Sequence, residues 1–353
     1  MTLLLTFRTS TLAALCATLV LFAGGARAEE GSVADSLSKE VKEVFERCKG
    51  AVVKIEASDK NGHLCGTGFF IDPSGTLLTS YSVGGESRDF VVSCQGNVKT
   101  TARLLIADPR AGIAILKADN LPTCTPFLPM VKPASGLAVA TPVVTIAYPM
   151  DMPLTPSFGL ISGFDLKYLG RFFATTHIRA SVPVQRGQGG APLLNMKGEV
   201  VGVIISSIDN GSSCFAIPVE AVEKIHRDYE RYGEVRPGWL GVLVCATSAA
   251  GKGSTAEIER LEFNAPAIKA GLRPRDILLK IGQISITSPQ DVLNASFFLT
   301  AGEKTSIVVW REEKELTFSA EPAERPLSGA PIPGLQAIPT VSATSEDITL
   351  RLR

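Results

Sequence analysis

Gly66-Thr67-Gly68-Phe69-Phe70-Ile71-Asp72-Pro73-Ser74-Gly75-Thr76-Leu77-Leu78-Thr79-Ser80-Tyr81-Ser82-Val83 sets the texture of the central part of the chain. Its apolar run Gly68-Phe69-Phe70-Ile71 is short and stops at turn-forming residues. The same pattern recurs from Ala51 to about Pro218, in Ala51-Val52-Val53-Lys54-Ile55, Val143-Val144-Thr145-Ile146 and Val200-Val201-Gly202-Val203-Ile204-Ile205. Gly, Pro, Asn and Asp separate these runs. Regular short strands with turn signals between them predict an all-β barrel or sandwich over residues 51–218.

Outside that block the pattern changes. Val33, Leu37, Val41 and Val44/Phe45 recur at helical spacing, which predicts a helical segment within 29–50. Val219, Val222 and Ile225 do the same among charged residues, so 219–235 reads as a linker carrying one connecting helix. A second, smaller domain is expected over 236–323. It mixes strands (Leu240 to Cys245, Ile277 to Ile281, Thr305 to Trp310, Glu315 to Ser319) with short helices (Ala265 to Ala270, Pro289 to Leu299). Residues 324–353 are rich in Pro, Ala, Ser and Gly, a composition that predicts a flexible tail because it cannot bury a core.

Length and charge narrow the classes. With 353 residues the chain exceeds one domain of usual size, and 35 basic against 35 acidic residues leave no net charge. Nucleic acid is therefore not an expected partner, nor is an anionic membrane surface. Residues 1–28 read as a signal peptide, with Arg8, the apolar run Leu12 to Ala23, and Ala26-Arg27-Ala28 at the cleavage site. The run is shorter than the roughly 20 residues that span a bilayer. The expectation is an exported, periplasmic or secreted, chain starting at Glu29 with no stable membrane anchor after cleavage. Six cysteines then remain (Cys48, Cys65, Cys94, Cys124, Cys214, Cys245), and disulfides and small buried hydrophobes both stay open for them. None is spaced C-x-x-C, so neither a metal nor a cofactor is expected.

Three segments of the β block resemble the HtrA (Do-like, trypsin-type) serine proteases. The opening stretch follows the family run G-S-G-F-I-I-D-x-x-G-x-I-L-T-N-x-H-V without a gap. Asp108-Pro109-Arg110-Ala111-Gly112-Ile113-Ala114-Ile115-Leu116-Lys117 is similar to D-P-x-x-D-L-A-V-L-K. Gly187-Gln188-Gly189-Gly190-Ala191-Pro192-Leu193-Leu194-Asn195 is similar to G-N-S-G-G-P-L-x-N. The resemblance implies a mainly β fold, a trypsin-like double β-barrel, over 51–218. It also implies a catalytic triad, and here the chain departs from the family. Ser82 stands at the general-base His, Gly112 at the orienting Asp and Gly189 at the nucleophilic Ser. A hydroxyl is not a general base at neutral pH, and glycine supplies neither a nucleophile nor an orienting carboxylate. None of the three histidines, His63, His177 and His226, falls at the family's position. Gly187, Gln188 and Gly189 keep the form of the loop whose amides build the oxyanion hole in active relatives.

The second domain resembles a small α+β PDZ module of the bacterial type. Trp239-Leu240-Gly241-Val242 lies at the carboxylate-binding loop, and Asn264 to Leu272 with Arg273 to Gly282 is similar to S-P-A-x-x-A-G-L-x-x-G-D-x-I-x-x-I-N-G. Arg275 replaces a glycine of that run. The resemblance implies that an extended peptide adds to the edge beginning at Leu240, facing a helix that carries Val292, Ser296 and Leu299. Core packing is the other reading of those three. The expected function is a catalytically inactive HtrA-like protein of periplasmic quality control, chaperone-like or scaffolding, whose partners are peptides or unfolded proteins. The alternatives are an active serine endopeptidase with non-standard catalytic residues, and a structural component that binds no peptide. The resemblance further implies a homo-trimer, or assembly with active relatives.

Overall fold

The computed structural model describes residues 33–60, 62–122, 125–131, 136–249 and 253–326. The expected signal peptide, all of the expected tail beyond Pro326 and Cys124 lie outside these residues. The chain divides into two compact units between Val235 and Arg236.

The first unit opens with α1 (Val33–Cys48). Six strands then close a barrel: β1 (Val52–Asp59), β2 (Gly62–Phe70), β3 (Thr76–Ser80), β4 (Asp89–Ser93), β5 (Lys99–Asp108) and β6 (Ile113–Ala118), in the order β1-β2-β3-β6-β5-β4. A single helical turn, α2 (Tyr81–Gly84), follows β3. In β1, Val53, Ile55 and Ala57 alternate inward, where they meet Phe70, Leu77, Val92 and Leu116 in one apolar cluster. That period of two is what a strand needs to bury one face. A second closed barrel follows, built from β7 (Pro142–Ala147), β8 (Thr155–Tyr168), β9 (Arg171–Ala180), β10 (Pro192–Leu194), β11 (Val200–Ile208) and β12 (Ser213–Pro218), in the order β10-β11-β12-β9-β8-β7. Closure leaves no open sheet edge in either barrel.

The connecting helix is α3 (Val219–Tyr232). Val219, Ala221, Val222 and Ile225 are fully buried, so the helix is part of the first unit. Gly233 ends it in a left-handed conformation (φ 74°), with its N–H bonded to the Tyr229 carbonyl at 2.8 Å. Only residues 233–235 then separate this helix from the second unit.

The second unit holds β13 (Val242–Ala249), β14 (Gly253–Leu261), α4 (Pro266–Lys269), β15 (Ile277–Ile281), β16 (Ile284–Ser285), α5 (Pro289–Phe297), β17 (Thr305–Arg311) and β18 (Lys314–Ala320). Its sheet runs β13-β14-β15-β17-β18, with β16 beside β15, so β13 is an edge strand. Arg275, at the family's glycine position, adopts φ 71°. The glycine turn is kept, at the cost of a left-handed residue with a side chain.

The five described cysteines, Cys48, Cys65, Cys94, Cys214 and Cys245, are free thiols, so of the two readings left open the disulfide one is not seen among them. Cys48 and Cys214 are buried and behave as small hydrophobes, and burial pushes the Cys214 thiol up to about 12.

Candidate functional site

Barrel closure brings together residues far apart in the chain. Ser80 pairs with Ile113 across β3 and β6, so α2 begins beside the turn that ends at Gly112. There the Tyr81 N–H donates to the Gly112 carbonyl at 2.8 Å. The turn is held by the buried Asp108 carboxylate, which accepts from the Arg110 guanidinium at 2.6 and 3.2 Å and from the Arg110 backbone N–H at 2.8 Å. Gly112 closes the turn with φ 71° and donates to the Asp108 carbonyl at 3.0 Å.

The loop before β10 packs onto the same place. The Gly189 carbonyl accepts from the Thr67 N–H at 3.0 Å, and the Thr67 hydroxyl donates to the Gly187 carbonyl at 2.8 Å while accepting from the Tyr148 N–H at 3.1 Å. A Cβ placed on Gly189 would lie 3.0 Å from Ser80 Oγ and 3.6 Å from Ser82 Oγ. Ser82 and Gly189 are therefore neighbours, and Gly112 abuts the start of the helical turn that carries Ser82. What meets there is a pair of hydroxyls: Ser80 Oγ, fully buried, and Ser82 Oγ, on an exposed residue, are 2.8 Å apart.

The histidines are engaged elsewhere. His63 Nδ1 is 3.0 Å from Ser58 Oγ on the β1–β2 hairpin. His177 is buried inside β9, stacked on Phe173 at 4.0 Å and bonded through Nδ1 to the Thr175 carbonyl at 2.8 Å. Burial lowers its pKa below 6.5. His226 faces Glu230 on α3 at 3.8 Å.

The loop itself is rigidly held. Gly187 has φ 88°, and a Cβ there would meet the Tyr148 carbonyl oxygen at 2.6 Å, so only glycine fits. The buried Gln188 is tied back, its Oε1 accepting from the Gln185 N–H at 2.5 Å. Among the described residues, the N–H groups of Gly187 and Gly189 donate to no other group.

In the second unit, Gly241 takes φ 73° with the Trp239 ring against it; a Cβ there would be 2.9 Å from the ring and 2.3 Å from Ala265 Cβ. Trp239 exchanges two backbone hydrogen bonds with Ala323, at 2.8 and 3.0 Å. The Leu240 and Gly241 carbonyls are taken by Ala267 and Glu262, while their N–H groups are paired with nothing among the described residues. Val242 opens the edge strand. The side chains of Leu240, Val292 and Leu299 lie in the core cluster, and Ser296 Oγ donates to the Val292 carbonyl at 2.8 Å. Val292 and Leu299 thus pack in the core, the second of the two readings left open for them, with Leu299 lying beyond the end of α5 at Phe297. Leu293 is the exposed leucine of α5. Among the described residues no group of three or more His, Cys, Asp or Glu is placed to hold a metal.

A double barrel followed by an open-edged α+β module defines the class: a trypsin-like peptidase fold joined to a PDZ domain. Residues 66–203 match the trypsin-like peptidase domain family and residues 239–321 the PDZ domain family. A probable periplasmic serine endoprotease, DegP-like, of Pseudomonas fluorescens is 30% identical over 288 residues, 77% of this chain and 60% of that protein. Its Brucella suis namesake is 27% identical over 284 residues, 75% of this chain and 54% of that one. The chain thus spans less than two thirds of these relatives. Two solved structures share the fold: the HtrA-type protease AlgW with tripeptide (TM-score 0.68, 24% identity, 81% of this chain and 97% of that one) and the Yersinia pestis serine endoprotease (TM-score 0.60, 20% identity, 81% and 98%). Together these findings show a trypsin-like peptidase domain followed by a PDZ domain. No described helix is long and apolar enough to cross a membrane.

Thr67 and Ser80 are site residues that sequence reasoning did not single out. Both are ordinary strand residues until closure places them beside the Gly187–Gly189 loop. Nothing local to either of them marks that neighbourhood.

Proposed function

We propose that this chain is an exported HtrA-type pseudoprotease, which binds extended peptides or the C-termini of unfolded proteins at the β13 edge. One observation carries this reading. Ser82 and Gly189 are neighbours and Gly112 abuts the turn that carries Ser82, yet the three supply no imidazole, no orienting carboxylate and no nucleophile where acylation needs all three. Its setting is the periplasm, as for the relatives named above, alone as a trimer or with active partners.

Peptide capture rests on the free N–H groups of Leu240 and Gly241 and on the open edge of β13. A short free-acid peptide ending in valine should bind the chain from Glu29 with micromolar affinity, about −8 kcal/mol. Amidating its C-terminus removes the anion those donors face and should weaken binding about tenfold, in line with roughly 1.5–3 kcal/mol for a hydrogen bond to a charged group. Equal affinity for both forms, measured by calorimetry, would show that this loop does not read a carboxylate.

The second reading, an active endopeptidase with non-standard residues, is favoured by the names of the relatives. Its nucleophile would be the exposed Ser82 in the Ser80–Ser82 pair. Fluorophosphonate labelling separates the two, because only an activated serine reacts. Absence of label and of casein cleavage is the expected result. Robust cleavage that disappears in Ser82→Ala would overturn the pseudoprotease reading.

A further inference from the structure

Beyond Pro326 the sequence is Pro-, Ala- and Ser-rich until Ile348-Thr349-Leu350-Arg351-Leu352-Arg353, where apolar and polar residues alternate. That period of two belongs to a strand with one apolar face. The stretch before it also holds Leu327, Ile332, Leu335, Ile338 and Val341, but these do not alternate and Pro331, Pro333 and Pro339 interrupt them; the first barrel and second barrel offer no open edge. The edge strand β13 does. Val242 and Val244 on β13 pack on the core from one face of the strand and are only half-buried, and Leu243 on its other face is 45% exposed.

We propose that this segment of the chain's own C-terminal region, residues 348–352, adds to β13 of the same molecule and regulates its access to external peptides. The inference rests on the reading of β13 as a peptide-binding edge and names the occupant that competes there.

Geometry favours the intramolecular route. At the end of the second unit Ala323 is bonded on both sides to Trp239, three residues before β13 begins, and Glu324 pairs with Arg236 at 3.0 Å. The departing chain therefore starts on the segment that leads into the edge strand, a few residues from its first pairing position. Between Ala323 and Ile348 lie 24 residues. A coil of that length has an r.m.s. span of about 27 Å. An eight-residue strand such as β13 is about 26 Å long at ~3.3 Å per residue. A tether matched to its span gives an effective concentration in the millimolar range. Against a micromolar competitor, even a segment of modest intrinsic affinity then holds the edge for much of the time. Main-chain pairing supplies the attraction and requires no particular terminus. Ile348, Leu350 and Leu352 on one face of the added strand would leave Thr349 and Arg351 toward water.

The test compares three proteins starting at Glu29: the full chain, a chain stopping at Pro326, and the full chain carrying Leu350→Asp with Leu352→Asp. Each is titrated with the free-acid, valine-ending peptide defined above. The expected result is at least tenfold tighter binding to the truncated chain and to the double variant than to the unmodified full chain. Acetylated peptide Thr344–Arg353, added separately, should displace the valine peptide from the truncated chain. Equal affinity for all three proteins would overturn the tail proposal while leaving β13 as a peptide edge. Failure of the valine peptide to bind even the truncated chain would instead remove the underlying reading, and the tail proposal with it. Competition that strengthens with protein concentration, with a larger species lost on truncation, would replace the intramolecular contact with one between two copies.

Discussion

Gly112 and Gly189 are both glycines at positions where the family resemblance would put catalytic side chains, but a side chain placed at each meets a different obstacle. Gly112 sits at φ 71°, with Ile205 atoms 3.4 Å from where a Cβ would be. An L-residue there pays the left-handed penalty of roughly 1–2 kcal/mol. Gly189 has no such strain, and its new Cβ would only press on Ser80 Oγ at 3.0 Å. Urea denaturation should therefore show Gly112→Asp destabilised by about 1–2 kcal/mol and Gly189→Ser by less than about 1 kcal/mol. Neither change alone should restore hydrolysis, since triad members act as a unit. The triple change Ser82→His, Gly112→Asp, Gly189→Ser is the one with a route to activity, and the strain at position 112 is the part it must absorb.

His177 makes a second residue-scale prediction. Burial holds its pKa below 6.5, so in acid the unfolded chain takes up a proton that the folded chain resists. The stability associated with neutral His177 is complete above pH 6.5 and is lost as pH falls below that value. His177→Phe keeps an aromatic ring beside Phe173 and removes the titration. The urea midpoint of the wild type should fall more between pH 7.5 and 5.5 than that of the variant. Parallel losses in the two proteins would assign the acid sensitivity to other groups.

At the scale of elements, α3 is the piece whose role changes most on seeing the fold. Its buried side carries Lys224 as well as apolar residues, and Lys224 Nζ lies 2.5 Å from Asp228 Oδ2 one turn on, both side chains almost wholly buried. Burial lowers the Lys224 pKa, and the Asp228 hydrogen bond opposes that shift. Lys224→Met leaves the carboxylate buried without this partner and should cost about 3–5 kcal/mol in urea denaturation. Lys224→Met with Asp228→Leu should recover most of that loss. A double variant as unstable as the single one would mean that the pair, more than the burial of its members, stabilises the helix dock. β14 teaches a related lesson. Its Ala256 and Ile258 are fully buried while Glu259 is exposed, but so short a polar-rich alternation gives a weak signal, and no strand was expected there.

At the scale of the whole molecule, the first and second units have separate apolar cores. A ligand that binds the folded second unit stabilises that unit by mass action, by about 2.7 kcal/mol at a hundred times its dissociation constant. Calorimetry with saturating valine-ending peptide should raise the transition of the second unit and leave that of the barrels in place. A shift confined to the barrel transition would move the peptide site to the first unit.

Much of this was legible in the linear chain. The rhythm of β-branched runs and turn residues predicted an all-β barrel or sandwich, because a strand with one buried face must alternate whatever it later pairs with. The double barrel came from the family resemblance. The residues at positions 82, 112 and 189 were readable too, and on them the pseudoprotease proposal rests. Tertiary structure decided what depends on closure. Thr67 meets Gly187 and Gly189 across about 120 positions of sequence, and Ser80 comes beside Gly189 across more than 100. No local pattern encodes such a meeting, since each partner is an ordinary strand or turn residue until two barrels close and their ends coincide. The same holds for α3 and for Val292 and Leu299, where a helical apolar stripe is visible in sequence but the surface it covers is not. Periodicity states that a face will be buried; only the packed neighbours determine against what.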